Sequence, residues 1–210
     1  MDNEDFILNI IKLYQKARET GSDNKKIRRG RSHPISANSE DLFALFLIDK
    51  INCDFIYVDQ PISIVGRRGQ IYPDIVIVKD GIITSFCDLK MDLGWKRREL
   101  FSFCKTKKNK LSQIRGKQCK IRDGLTKKDK IFTISSKLSF NVVILSDQNI
   151  KAEILRDHRK KIGSLGADVG LFILSGREHP NTYGFTPDEL LKRIDIKNEA
   201  FNELIEKLRR

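Results

Sequence analysis

The 210-residue chain has four cysteines and three histidines, and none is spaced for metal or redox work. Cys53, Cys87, Cys104 and Cys119 form no C-x-x-C pair, and no His-x-His or His-x-x-x-His spacing accompanies them, which argues against a structural zinc site. They read as reduced thiols of a cytoplasmic protein. His33, His158 and His179 stand alone and read as surface or loop residues. The longest apolar run, "LFALFLI" from Leu42 to Ile48, falls far short of the about 20 residues that cross a bilayer. The acidic start "MDNEDFILNI" has no basic stretch ahead of its apolar residues, so no secretory signal is expected. A serine nucleophile elbow, a Gly-x-x-x-x-Gly-Lys phosphate loop, internal repeats and low-complexity tracts are absent as well.

What is present is a globular balance, 40% hydrophobic and 32% charged, at a length suited to one domain. The net charge of +12 is concentrated: residues 95–130 carry fourteen Lys or Arg against Glu99, Asp123 and Asp129, a net of +11. Such a segment is the expected footprint of a polyphosphate partner such as a nucleic acid. Lys96, Arg97, Arg98, Lys105, Lys107, Lys108, Lys110, Arg115 and Lys117 are the candidate DNA-binding residues. The other reading of a lysine-rich run is a solvated helix face or loop. A second basic cluster, Lys25, Lys26, Arg28, Arg29 and Arg31, sits in the breaker-rich "KKIRRGRSHPIS", an expected exposed connection.

Periodicity supplies the elements. Phe6, Ile7, Ile10, Ile11, Leu13 and Tyr14 predict an amphipathic helix that Gly21 stops. "ANSEDLFALFLIDKIN" predicts a helix from Glu40 to about Ile51, capped by Asn38 or Ser39. "DFIYVDQPISIV", "QIYPDIVIV" and "GIITSFCDLKM" predict a three-strand meander. From Trp95, the residues Leu100, Phe101, Cys104, Leu111, Ile114 and Cys119 predict a basic amphipathic helix that fades into a polar loop at "DGLTKKDK". "FNVVIL", "KAEILRDHRKKIG" and "ADVGLFIL" predict a βαβ unit with a parallel strand pair. At "TPDE", Thr186, Pro187 and Glu189 form a capping box ahead of a C-terminal helix or helix pair whose apolar face runs from Leu190 to Leu208.

The meander holds an anomaly. "IYPDIVIVKDGIITSFCDLKMD" places Asp74, Asp88 and Lys90 beside apolar runs, and buried ionisable groups are costly unless paired, metal-bound or at a cleft edge. The turn decides which face each occupies. A two-residue turn at Asp80-Gly81 pairs Asp74 with Cys87 and puts Asp88 on the opposite face. A three-residue loop with Gly81 in the left-handed region pairs Asp74 with Phe86 and brings Asp74, Asp88 and Lys90 to one face. The two acids are then diagonal neighbours with backbones about 7–8 Å apart. Asp74, Asp88 and the Leu89 carbonyl suit Mg²⁺, which prefers oxygen ligands and keeps its waters. Lys90 is placed to orient or help deprotonate an attacking water. Asp92 is a substitute for Asp88 in a shifted register.

Pro73-Asp74, then a hairpin, then Asp88-Leu89-Lys90, preceded by a helix carrying Glu40 near its start, resembles the PD-(D/E)XK nuclease superfamily. The order of elements from Glu40 to Leu145 is similar to that family's core and covers about half the chain. Gln113 is followed by Lys117 where exonuclease-like members carry Gln-x-x-x-Tyr, which turns the resemblance towards a type II restriction endonuclease. The resemblance implies an α/β fold with a restriction-endonuclease-like core: a mixed sheet of an antiparallel meander plus parallel strands, flanked by helices on both faces. It implies a single nuclease domain over residues 1–210, with an N-terminal helix in 1–22, a catalytic core in 39–175 and a C-terminal helical extension in 186–210. The resemblance makes Asp74, Asp88, Lys90 and Glu40 the candidate catalytic residues, with Mg²⁺ or Mn²⁺ expected at Asp74, Asp88 and Leu89, and implies a homodimer that cuts both strands of double-stranded DNA. Two other readings stand beside it: a repair or junction-resolving nuclease of the same superfamily, and a non-catalytic nucleic-acid-binding protein on the same fold.

Overall fold

The computed structural model describes residues 1–19, 26, 31–94 and 97–210. The expected stop at Gly21, the basic residues Lys25, Arg28 and Arg29, and Trp95 and Lys96 lie outside the described residues.

Helix α1 (Asn3–Ala17) opens on a capping box in which Asp2 and Asp5 serve each other's backbone N–H groups, and it buries Phe6, Ile7, Ile10, Ile11 and Tyr14. Helix α2 (Ser36–Ile48) begins a turn earlier than expected. Ser39 is therefore inside the helix and buried, not a cap, and Glu40 falls in the second turn. The chain continues through β1 (Phe55–Val58), β2 (Ile62–Ile64), β3 (Gln70–Ile71), β4 (Ile75–Lys79) and β5 (Ile82–Lys90). Next come α3 (Leu100–Ile114), β6 (Gln118–Arg122), β7 (Asp129–Ser146), α4 (Ala152–Gly163) and β8 (Val169–Gly176). It closes with α5 (Pro187–Leu191), which carries the expected Thr186–Glu189 capping box, then β9 (Asp195–Ile196) and α6 (Asn198–Arg209).

These elements form an α/β fold around one mixed sheet. β1, β4 and β5 pair antiparallel, as a meander requires, while β5 runs parallel to β7 and β7 parallel to β8. Where one strand was expected over Asp54–Val65 there are two. Asp59, with φ 45°, and Pro61 break the run, and β2 leaves β1 to pair with β3 and β6. The expected helix also ends sooner: Cys119 lies in β6, where Cys119 and Ile121 alternate with exposed neighbours at the two-residue period of a strand. β7 is 18 residues long and changes partners along its length. Its first part pairs with β6, its second with β8, and β5 pairs with it from Thr133 to Ile144 with a jump from Ile134 to Ser139.

Both faces of the sheet are covered. Ile75, Ile77, Cys87, Leu89, Val143 and Leu145 pack with α1, α2, α5 and α6 in one core. Val76, Val78, Phe86, Val142 and Ile144 pack with α3 and α4 in another. All four cysteines are free thiols, three of them buried. Among the described residues, no helix is long and apolar enough to cross a membrane.

The β4–β5 hairpin resolves the register question in a third way. Val78 pairs with Ile83 and Lys79 with Ile82, so Asp80-Gly81 is a two-residue turn. Both turn residues have positive φ, 52° and 70°, as a type I′ turn demands. The expected three-residue loop is absent because Asp-Gly fits that turn so well. One step further, Ile77 pairs with Ser85, which leaves Thr84 unpaired as a β-bulge. A Cβ on Gly81 meets nothing within 4 Å, so only its backbone conformation resists substitution. Gly81→Val is expected to lower unfolding free energy by about 1–2 kcal/mol, with the urea m-value unchanged; equilibrium urea denaturation reads both.

Candidate active site

The bulge decides the site. Beyond Thr84 the pairing runs Ile77 with Ser85, Val76 with Phe86 and Ile75 with Cys87, so the next position sets Asp74 opposite Asp88. The turn alone would have separated the acids; the extra residue flips the later half of β5 and returns Asp88 to the face of Val76 and Phe86.

Asp74 lies just ahead of β4. Its Oδ2 accepts hydrogen bonds from the Leu89 backbone N–H at 2.8 Å and from Lys90 Nζ at 2.9 Å. Burial holds its carboxyl above the usual carboxylate range and the nearby Asp88 adds to this, against the pull of Lys90 and the Leu89 N–H. Leu89 buries its side chain in the opposite core, so only its backbone belongs to the site. Asp88 is the most enclosed member, with its side chain 4% exposed against 22% for Asp74. Its Oδ2 accepts from Lys107 Nζ at 2.6 Å. Its Oδ1 is buried and accepts no hydrogen bond. Buried polar atoms in folded proteins are nearly always satisfied, so a bare carboxylate oxygen calls for an explanation.

Glu40, in the second turn of α2, lies within electrostatic range of this group. Burial first, then the charges of Asp74 and Asp59, push its carboxyl up to about 7, and Lys90 only partly opposes them. Asp59 donates its backbone N–H to the Asp74 carbonyl at 2.8 Å and belongs to this acidic neighbourhood, which sequence reasoning missed. The break in "YVDQPI" was its available signal. Asp92 does not join: it accepts from Gly94 N–H at 2.7 Å and Asn149 Nδ2 at 3.0 Å and lies 3.4 Å from His179 Nε2. His179 is thus not isolated, since its ring also packs on Tyr14. His158 is buried and bonds the Arg97 carbonyl.

The basic helix has two kinds of cation. Lys107 and Lys108 fall where the spacing of Leu100, Cys104, Leu111 and Ile114 wants apolar residues, and both turn inward. Lys107 pairs with Asp88 and lies against the rings of Phe103 and Phe140, and Lys108 bonds the Leu165 carbonyl. Arg115 pairs with Asp168 at 3.0 Å. Lys117 is half-buried at the entry to β6. Arg97, Arg98, Lys105 and Lys110 are exposed. That leaves these four on the surface, whereas Lys107 acts on the candidate site itself. Apolar periodicity, read for its exceptions, was the signal for this division.

Among the described residues, no group of three or more His, Cys, Asp or Glu is placed to hold a metal. Two carboxylates, one with a bare buried oxygen, are still a sufficient start for a hard cation that keeps most of its waters. A cavity of about 720 Å³ lies elsewhere, lined by residues of α4, β8, β9 and α6, and includes none of these acids. No family model matches the chain, and no curated protein or solved structure is found to be similar to it.

A carboxyl raised on folding stabilises the protonated native state: the contribution is complete below the unfolded value near 4.5 and is lost as pH rises through about 7. Glu40→Gln, measured without divalent metal, is expected to leave Tm unchanged near pH 4 and to raise it at pH 8. Solvent screening limits the gain to about 1–3 °C; thermal denaturation at the two pH values checks the sign.

Proposed function

We propose that the chain is a metal-dependent endonuclease that hydrolyses phosphodiester bonds of double-stranded DNA, built on a restriction-endonuclease-like core of the PD-(D/E)XK type. The observation that carries the reading is the bare buried Oδ1 of Asp88 opposite Asp74 and beside Lys90. A fixed anion with no donor suits a cation, and here the adjoining surface is basic.

Asp74, Asp88 and the Leu89 backbone would hold Mg²⁺ or Mn²⁺. Such an ion, when bound, lowers the pKa of a coordinated water and stabilises charge on the leaving oxygen. The chain's own groups do the rest. Lys90, fixed by Asp74, orients the attacking water and neutralises charge on the phosphate. Lys107 compensates Asp88, so that a buried carboxylate is tolerated before any substrate arrives. Glu40, protonated below about 7, accepts a proton from that water once ionised. Arg98, Lys105 and Lys110 supply exposed charge for phosphate contacts.

Site-specific restriction by a cytoplasmic homodimer is the form of this activity we favour, because cutting both strands of a two-fold site calls for two copies. A repair or junction-resolving nuclease would use the same groups on another substrate. One observation favours a non-catalytic DNA-binding protein instead: each aspartate already has an ammonium partner.

Incubation of plasmid DNA with the purified protein, in Mg²⁺ or in EDTA, separates these readings. Mg²⁺-dependent cleavage is expected, giving discrete bands for restriction. Asp88→Asn is expected to slow it by on the order of 10³-fold, the equivalent of several kcal/mol of charge stabilisation. Binding without cleavage of any DNA substrate contradicts the nuclease reading, as does full activity in the variant.

A further inference from the structure

Next to the carboxylates is a cleft of about 210 Å³ that the hydrolytic chemistry does not use. Phe86 and Phe140, cross-strand partners on β5 and β7, and Leu111 of α3 give it an apolar floor. Tyr72 stands on its rim, 60% exposed, with Lys107 and Lys110 on the side of α3. Tyr72 is held in place: its hydroxyl donates to Gln70 Oε1 at 2.7 Å, and the Gln70 amide donates to Ser63 Oγ at 3.1 Å. The cleft adjoins the site through two links. Tyr72 is two residues from Asp74 in the chain, and Lys107 touches both the cleft and Asp88.

An exposed aromatic ring fixed by hydrogen bonds, over an apolar floor and beside two ammonium groups, matches the makeup of a stacking site for single-stranded nucleic acid. We infer that this cleft receives one unpaired nucleobase of the substrate, stacked on Tyr72, with its phosphate turned towards Lys110 and the carboxylates. The inference rests on the nuclease reading and specifies its substrate: a strand whose base is already unpaired, or is taken out of the helix, at the site of cleavage. Extruding a base costs a few kcal/mol and is easiest where it is mismatched or single-stranded. Within a duplex site recognised along the rest of its length, a mismatch at the extruded position is therefore expected to favour cleavage. Stacking rather than edge-reading dominates such a pocket, so base identity matters little at this one position.

The test is equilibrium binding of a short fluorescent single-stranded oligonucleotide and of its abasic analogue, which keeps every phosphate, to the full chain in EDTA. The base-bearing strand is expected to bind about tenfold more tightly, the size of one base–aromatic stack. Tyr72→Ala is expected to remove that difference and leave abasic binding unchanged, while Tyr72→Phe, which keeps the ring and loses only the bond to Gln70, preserves it. Equal binding of the two strands overturns the inference, and so does a base preference that survives Tyr72→Ala. Plasmid cleavage measured in parallel distinguishes the outcomes: equal binding with Mg²⁺-dependent cleavage retained removes only the base site, and loss of both removes the nuclease reading with it.

Discussion

A strand presents its side chains to alternate faces, so one unpaired residue reverses everything beyond it. In this chain that residue is Thr84. The Asp80-Gly81 turn, favoured by its own chemistry, would send Asp88 into the core shared with α1 and α2, away from Asp74. The bulge places Asp88 opposite Asp74, below α3 and within reach of Lys107. The positions of Lys90, Leu89 and the neighbouring cleft follow from the same shift.

That arrangement is tolerable only as a network. A carboxylate as enclosed as Asp88 needs a counter-charge, and Lys107 provides it from the inward side of α3, its ammonium lying against Phe103 and Phe140. Asp74 is compensated by Lys90 and by a backbone N–H, while Glu40, through burial first and the nearby negative charges second, holds its proton to about 7. Three acids thus share one region by different means: an enclosed ion pair, a part-buried ion pair and protonation.

Elements with a strong single period were legible in the sequence. The face of α1, the βαβ unit of β7, α4 and β8, and the capping box of α5 all follow from spacing and terminal residues. Segments whose pattern serves two periods were not. Cys119 fits the helical spacing that begins at Leu100 as well as the alternation of β6. No element is expected over the first half of β7, whose opening residues Asp129 and Lys130 belong to the expected polar loop and which the structure pairs with β6. The candidate residues Asp74, Asp88, Lys90 and Glu40 were legible as a group because ionisable side chains beside apolar runs demand a reason. Their register was not, since a bulge depends on the neighbouring β7, which makes its own jump alongside Thr84. The role of Lys107 was hidden for the opposite reason: a basic run drew attention to its total charge and away from the two lysines on its apolar side.

The proposed activity requires that the bare oxygen of Asp88 and the carboxylate of Asp74 make a cation site at the end of the hairpin. Paramagnetic broadening of backbone amide resonances by Mn²⁺ tests it without substrate or turnover. The expected result is selective broadening at Asp74, Asp88, Leu89 and Lys90 that disappears in Asp88→Asn. Broadening confined to other acidic positions, or none at all, would contradict it.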